Sequence, residues 1–513
     1  MNAQINVILL AICISGLFSC RPEKEQFYPP LYEVTTSLYD STLKPFYHGV
    51  ASGDPLHDRV IIWTRVTPED SLPSIEVKWE VASHINFSGP VTSGIVTTNP
   101  EKDYTVKIDV PGLEPDKFYY YRFTALERTS VTGRTKTTPV TAKDSLKFAV
   151  VSCSNWEFGY FNAYSCIAQK DVDAVLHLGD YIYEYGVGNY GDTTIGRFNL
   201  PPHEVISLQD YRTRHSQYRL DAGLRAVSQV HPFITIWDDH EIANDTYAEG
   251  AQNHQPEEGD FNTRKLVAVQ AYFEWLPIRD GSKVYRTFSY GSLADLIMLD
   301  ERLEGRTKQA VNLQDSSLLD TTRSMLGEKQ LLWFEEQLKN STATWKLIGN
   351  QVIFSGLDES FNQTAKSVDN WNGYPVEQKK VADFIVNQKI QDVIFLTGDT
   401  HASWAFEVTL NPHQATPKKD LSVVEFGTPS ISSGNWDERY NLDTAKLAEQ
   451  LYKKYNPHLK YVNGVDHGYL MLTLYPQKAV AEWYFVETLQ NINLNEHLGK
   501  SIEVTKGSGR LKR

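Results

Sequence analysis

An α/β domain behind a small antiparallel β-sandwich follows from two contrasts in this 513-residue chain. From Phe46 to about Val140, short runs alternate apolar and polar residues between Gly, Pro and Asp, the period-two pattern of half-buried strands. From Leu146 onward, unbroken apolar runs alternate with helical stretches, the pattern of strands covered on both faces. The length agrees, because it exceeds what one hydrophobic core usually supports.

The elements follow in order. The chain starts MNAQINVILLAICISGLFSC, whose apolar core from Ile5 to Phe18 is too short to span a bilayer and ends in small residues, as a secretory signal does. Residues 1–20 are read as that signal. Leu17-Phe18-Ser19-Cys20 resembles a bacterial lipobox, so a cell-envelope lipoprotein attached to a membrane through a lipidated Cys20 is expected. The same leader with ordinary cleavage would give a periplasmic or extracellular protein. Residues 21–45 are polar and Pro-dotted, as a tether is. Residues 46–140 carry the runs RVIIWTRV, IEVKWEVAS, GPVTSGIVTT, DYTVKIDV, KFYYYRFTAL and VTGRTKT, which predict the sandwich. Residues 146–490 hold the buried-strand segments LKFAVVSCS, DAVLHLGD, PFITIWDDHE, ADLIMLDER, TWKLIGNQVIF, DVIFLTGDTH and LSVVEFGTPS. Among them lie helical stretches such as RKLVAVQAYFEWL and EKQLLWFEEQLKN. Residues 491–513 are read as a tail, and its basic end KGSGRLKR is expected to be disordered.

Composition excludes some functions. A net charge of −14 argues against a nucleic-acid partner, since nothing would neutralise a phosphate backbone as a whole. An acidic protein can still handle a small phosphate ester if a metal supplies local positive charge. Outside the leader only Cys153 and Cys166 remain, one ending a predicted strand and one inside a predicted helix, so both are expected as free thiols.

In α/β sheets, functional groups gather just beyond the carboxyl ends of strands. Those positions carry Cys153; then Asp180 and Tyr183; then Asp238, Asp239 and His240, with Asn244 one turn on; then Asn350 and Gln351; then Asp399 and His401. A single Gly-Asp after a strand is an ordinary turn, and a single Cys an ordinary buried residue. Five strand ends bearing almost nothing but metal-ligand types read instead as a two-metal hydrolytic centre.

The order GD-x-x-Y, then Asp-His, then GD-x-H resembles the calcineurin-like metallophosphoesterase superfamily. The strings FYHGVASGDPLHDRVIIWTRVTP, LQDYRTRHSQYR, WDDHEIANDTY, QAYFEWLPIR, WKLIGNQVIFSG, DNWNGYP and HGY resemble, more closely, its alkaline phosphatase D (PhoD-like) family. The resemblance runs from about Phe46 to Val486 and implies an immunoglobulin-like (Ig-like) β-sandwich before an αββα metallophosphatase sandwich. It implies a metal-binding thiolate at Cys153, a bridging carboxylate at Asp180, a phenolate at Tyr183, a ligand at Asp239 and a transition-state or leaving-group contact at His240. It also sets Asp399 and His401 on the superfamily's terminal histidine motif, and Asn350 or Gln351 near a histidine that relatives keep. Cys153, Tyr183 and His401 form a softer, anionic set suited to Fe³⁺, and the oxygen donors Asp239, Asn350, Asp399 and Asn244 favour Ca²⁺. Zn²⁺ or Mn²⁺ is the alternative. Trp371, His467 and Arg302 are the expected substrate contacts, with Arg212 and Tyr374 as weaker candidates that ordinary packing explains.

The reading is an exported phosphoesterase that hydrolyses phosphate mono- or diesters, or both, with a metal-bound hydroxide. A phosphodiesterase acting on phospholipid head groups is the alternative within the class. A non-enzymatic surface binding lipoprotein is the alternative outside it.

Overall fold

The computed structural model describes residues 33–281, 283–361, 368–411 and 421–512. The leader, with Cys20 and the first part of the tether, lies outside the described residues. All six alternating runs between Phe46 and Val140 form strands, and so do the seven apolar segments from Leu146 onward.

Two large sheets carry the site. In the first, three parallel strands lie side by side: Leu146–Val151, Ala174–His177 and Pro232–Thr235. In the second, Ala294–Met298, Trp345–Gly349, Val393–Thr397 and Val423–Gly427 run parallel as neighbours. One apolar cluster joins the two, with Phe148, Val150 and Leu176 from the first and Leu296, Leu347 and Leu396 from the second. The sheets touch again where the Thr428 hydroxyl donates to the Val150 carbonyl at 2.8 Å. Strands in both sheets are therefore covered on both faces, which is why their sequences are apolar without alternation.

The amino-terminal segment is less separate than the patterning suggested. Its strands Ile75–Ala82, Pro90–Thr98 and Phe118–Ala125 form a small sheet of their own, with Gly133–Lys136 on one side. Its other strands, Val50–Gly53, Arg59–Arg65 and Thr105–Pro111, extend the first large sheet, because Val50–Gly53 pairs in parallel with Pro232–Thr235. A shared core of Val60, Ile62 and Val106 against Val77, Val81 and Phe123 closes the space between them. The four-residue strand Val50–Gly53 is too short to be seen by its pattern, so the join was not legible.

The carboxyl-terminal segment corrects the expectation of a disordered tail. Glu496–Thr505 pairs antiparallel with Lys478–Val486, and Leu511–Lys512 pairs with it in turn. Ile502 and Val504, two residues apart, are buried on one face of that strand, and this outweighs the surrounding Gly, Ser and Lys. Cys153 and Cys166 are free and buried, as expected. No helix among the described residues is long and apolar enough to cross a membrane.

Candidate metal centre

The parallel strands of both sheets end at one place. Cys153, Asp180 and His401 each offer a ligand atom within 4.8 Å of the others, and so do Asp180, Asp239 and His240. Two further groups meet the same limit: Asp238, Asp239 and Asp399, then Asp239, Asp245 and Asp369. The four groups share corners, Asp180 between two of them and Asp239 among three. A chain of linked sites, rather than one pocket, is what two or more neighbouring cations require.

The backbone at these positions is unusual. Cys153, Asp180, Asp245, Asp399 and His401 have φ of 61°, 54°, 54°, 62° and 53°. Left-handed backbone in a non-glycine residue costs roughly 1–3 kcal/mol and persists where its surroundings impose it. At Asp180 the imposing group is visible. Glu241 accepts from the backbone N–H groups of Asp180 (3.0 Å), Asp238 (2.7 Å) and Tyr181, so one buried carboxylate ties the loops after two strands together. Glu301 accepts from the N–H groups of Gln351 (2.8 Å) and Val352 (3.0 Å), and Glu425 from Phe354 (2.8 Å) and Ser355 (2.7 Å).

The ligand candidates are in usable states. His401 is neutral, because burial pushes its pKa down to about 3. Its Nδ1 lies 3.0 Å from the Gly434 carbonyl, which can only accept, so Nδ1 carries the proton. The Nε2 lone pair is left facing the Tyr183 hydroxyl at 3.2 Å. That hydroxyl also lies 2.9 Å from Asp180 Oδ2, which sets Tyr183 beside two members of the Cys153, Asp180 and His401 group. Asp180 Oδ1 and Asp238 Oδ2 are buried with no hydrogen-bond partner among the described residues. Burial drives the Cys153, Asp180 and Asp399 groups well above their usual pKa ranges. A cation among them would favour the anionic forms and satisfy the lone oxygens, so the donor set fits one.

His240 is held differently. Its Nδ1 lies 2.7 Å from Glu184 Oε2, and Glu184 is itself fixed by the Asn244 N–H and the Asn253 amide, both at 2.8 Å. Burial opposes charge on His240, but Asp239, Glu184 and Asp180 outweigh it and hold the imidazolium well above the usual histidine range. Tyr183 lies against the ring at 4.2 Å between centroids, and Tyr185 at 5.4 Å.

Several expected residues sit elsewhere or act otherwise. Trp371 is fully buried, packs on Phe354, and donates its indole N–H to Glu301 (2.7 Å) and Asn350 Oδ1 (3.3 Å), so it is a core aromatic and not a substrate contact. That bond occupies Asn350, whose amide group turns to Val352 and Thr397. Gln351 bonds the backbone of Glu301 and Leu299. Neither amide joins the carboxylates. Asn244 is at the site through its backbone, but its side chain donates to Gln252 at 3.0 Å. His467 is paired with Ser430 (2.9 Å) and Glu438 (3.3 Å) and lines a separate cavity of about 590 Å³. Arg212 is bound by Glu274 and Tyr374 by the Thr307 carbonyl, as ordinary packing predicted.

Arg302 is central in an unexpected way. It is wholly buried and its guanidinium touches Asp238, Asp369 (2.7 Å), Asp399 (3.3 Å) and Asp239 (3.6 Å). It offsets carboxylate charge inside the cluster and has no face left for a substrate. Sequence reasoning missed Glu184, Asp245 and Asp369, and left Asp238 unassigned. The strand-end rule would have placed Arg302 correctly, since it follows ADLIMLDE, but Asp369 lies in a connection with no strand to mark it.

Family models agree with this architecture over nearly the whole described chain. The model for the PhoD-like phosphatase matches residues 148–483, and that for the PhoD-like phosphatase N-terminal domain matches 34–139. The chain belongs to the PhoD-like phosphatase family. It is 38% identical over 465 residues to alkaline phosphatase D of Bacillus subtilis (strain 168), covering 86% of this chain and 77% of that protein. A solved structure of PhoD superposes with a TM-score of 0.83 at 34% identity, over 91% of this chain and 92% of that one. Membership makes the chain a phosphoric ester hydrolase with a mixed α/β fold, acting on a small phosphate ester, and the reading as a non-enzymatic binding protein is set aside.

Proposed function

We propose that this member of the family is an exported, metal-dependent phosphoesterase that hydrolyses phosphate monoesters, diesters or both. The observation that carries the reading is the chain of ligand groups sharing Asp180 and Asp239. Cys153, Asp180, Tyr183 and His401 would hold a ferric ion, a soft and anionic set. Asp238, Asp239 and Asp399 would hold Ca²⁺, a hard cation that takes oxygen donors, with Zn²⁺ or Mn²⁺ as the alternative for either place. When bound, the cations supply Lewis-acid polarisation of the phosphoryl oxygens and an activated water.

The chain's own residues do the rest. Arg302 keeps the carboxylates apart in charge and fixed in place. Glu184 orients His240 through Nδ1, leaving Nε2 with no hydrogen bond among the described residues and free to give a proton to the departing alkoxide. Tyr183 and Tyr185 pack against the imidazole ring and shield it from bulk water. The finer architecture, an Ig-like sandwich before an αββα sandwich, belongs to the same proposal, as do export through residues 1–20 and attachment through Cys20.

Metal analysis of the chain beginning at Arg21, with hydrolysis of a monoester and a diester before and after chelation, tests the reading. Iron with calcium, and activity lost on chelation and restored by calcium, is the expected result. Zinc or manganese would overturn the metal assignment, and full activity after complete metal removal would overturn the proposal.

A further inference from the structure

A second cavity of about 560 Å³ opens directly onto the carboxylates, since Asp369 and Asp399 line it. Its opposite wall is apolar. Trp436 and Tyr452, both half-buried, stack with ring centroids 5.4 Å apart over the buried Trp404, 5.6 and 5.2 Å from them, and Leu447 and Leu451 complete that side. The cleft and the metal ligands are built from the same segment: Asp399, Thr400, His401 and Trp404 lie within six residues, and the Trp404 indole N–H donates to the Thr400 hydroxyl at 2.7 Å. Trp404 is thereby held at a fixed distance from two ligand candidates. Leu447 is 54% exposed on the helix Leu442–Tyr455, whose opposite side buries Ala445 and Glu449. At the rim stands Arg439, which has no ion pair among the described residues, although the chain as a whole is strongly acidic.

We propose that this cleft is a subsite for the organic group of the substrate, and that it selects phosphate esters whose alcohol carries an apolar ring system. Three features point to that occupant. The cleft is continuous with the phosphoryl site, so whatever fills it is attached to the reacting phosphate. Its volume suits a group of one or two fused rings, within the range of small-molecule pockets. Its ring-lined wall offers offset and edge contacts that planar groups use well. Arg439 at the rim gives the anionic ester a cation, a role that Arg302 and Arg306 cannot fill because carboxylates already occupy them.

The proposal rests on the phosphoesterase reading but has a readout of its own. Binding of 1-naphthylphosphonate and methylphosphonate to the metal-loaded protein would be compared by calorimetry. Burial of the ring face predicts that the naphthyl compound binds about tenfold tighter or more. Leu447→Glu, on an exposed helix face, is expected to erase that ratio, and Trp436→Ala to reduce it. Equal binding of the two phosphonates, or a ratio that survives both substitutions, would overturn the subsite. Hydrolysis of methyl p-nitrophenyl phosphate, measured alongside, reports on the phosphoesterase reading separately, so its absence would sink that reading while the phosphonate ratio still decides the cleft.

Discussion

Replacing Glu184 by Gln separates the proton-donating role of His240 from its presence at the site. Glu184 Oε2 lies 2.7 Å from His240 Nδ1, deep in the protein, and Oε1 accepts from the Asn244 N–H and the Asn253 amide. Glutamine keeps the Oε1 bonds but turns an N–H toward Nδ1. The imidazole must then accept at Nδ1, lose its anionic partner and fall in pKa. A hydrogen bond to a charged group contributes about 1.5–3 kcal/mol, which at about 1.4 kcal/mol per decade is roughly a 10- to 100-fold loss in rate. The loss should depend on the leaving group. An alkyl phosphate needs a proton in the transition state and should lose that full factor in kcat/KM. A p-nitrophenyl ester, whose weakly basic phenolate leaves unaided, should lose about threefold or less. Circular dichroism and metal content, both expected unchanged, control for misfolding. Equal losses for the two esters would refute the assignment of His240 as proton donor.

Three other outcomes are expected. Cys153→Ser, which tolerates the same backbone, should lower the metal retained by the Cys153, Asp180 and His401 group while leaving the fold intact; unchanged iron content would contradict the thiolate ligand. Trp371→Phe should cost about 1–2 kcal/mol of stability through the lost indole bond to Glu301, visible as a lowered Tm, and leave KM within about twofold; a large KM change would restore it as a substrate contact. His215 is held down to about 3 by burial, with neither ring nitrogen hydrogen-bonded among the described residues. Its contribution is present above the unfolded histidine pKa and is lost as pH falls from about 6.5 toward 3, at up to about 1.4 kcal/mol per unit. His215→Phe should therefore flatten the fall of the urea midpoint between pH 7 and pH 5, and an unchanged slope would show that other groups control it.

Much of this was legible because parallel strands leave strong marks. Runs such as VIFLT and KFAVV are apolar without alternation because both faces are covered, and Asp399 and Cys153 follow at their ends where such folds place reactive groups. The legibility failed where position along the chain does not reveal direction. Asn350 and Gln351 also end a strand, yet their amides serve Trp371 and the backbone around Glu301. Trp371 and Arg302 show the same limit in reverse: each was expected to touch the substrate, and each is enclosed by groups far away in sequence. The join between the amino-terminal segment and the first large sheet, and the order of the tail, were missed for a different reason. Val50–Gly53 and Glu496–Thr505 are strands because a partner surface exists, and pairing with a distant segment leaves little local trace.

That long-range pairing has a consequence for how the protein comes into being. The strand leading to Cys153 has Ala174–His177 on one side and Gly468–Leu474 on the other. The strand leading to Asp239 has Val50–Gly53 as a neighbour, some 180 residues earlier. A chain made from its amino end can pair Val50–Gly53 before half of it is finished, but it cannot close the second flank of the Cys153 strand until Gly468–Leu474 has emerged. Ordering of such distant contacts is slow, because loop closure precedes the reward. The ligand groups would thus remain incomplete through most of synthesis, and would assemble as a set only at the last step. A protein built this way presents its complete ligand set only as a finished fold.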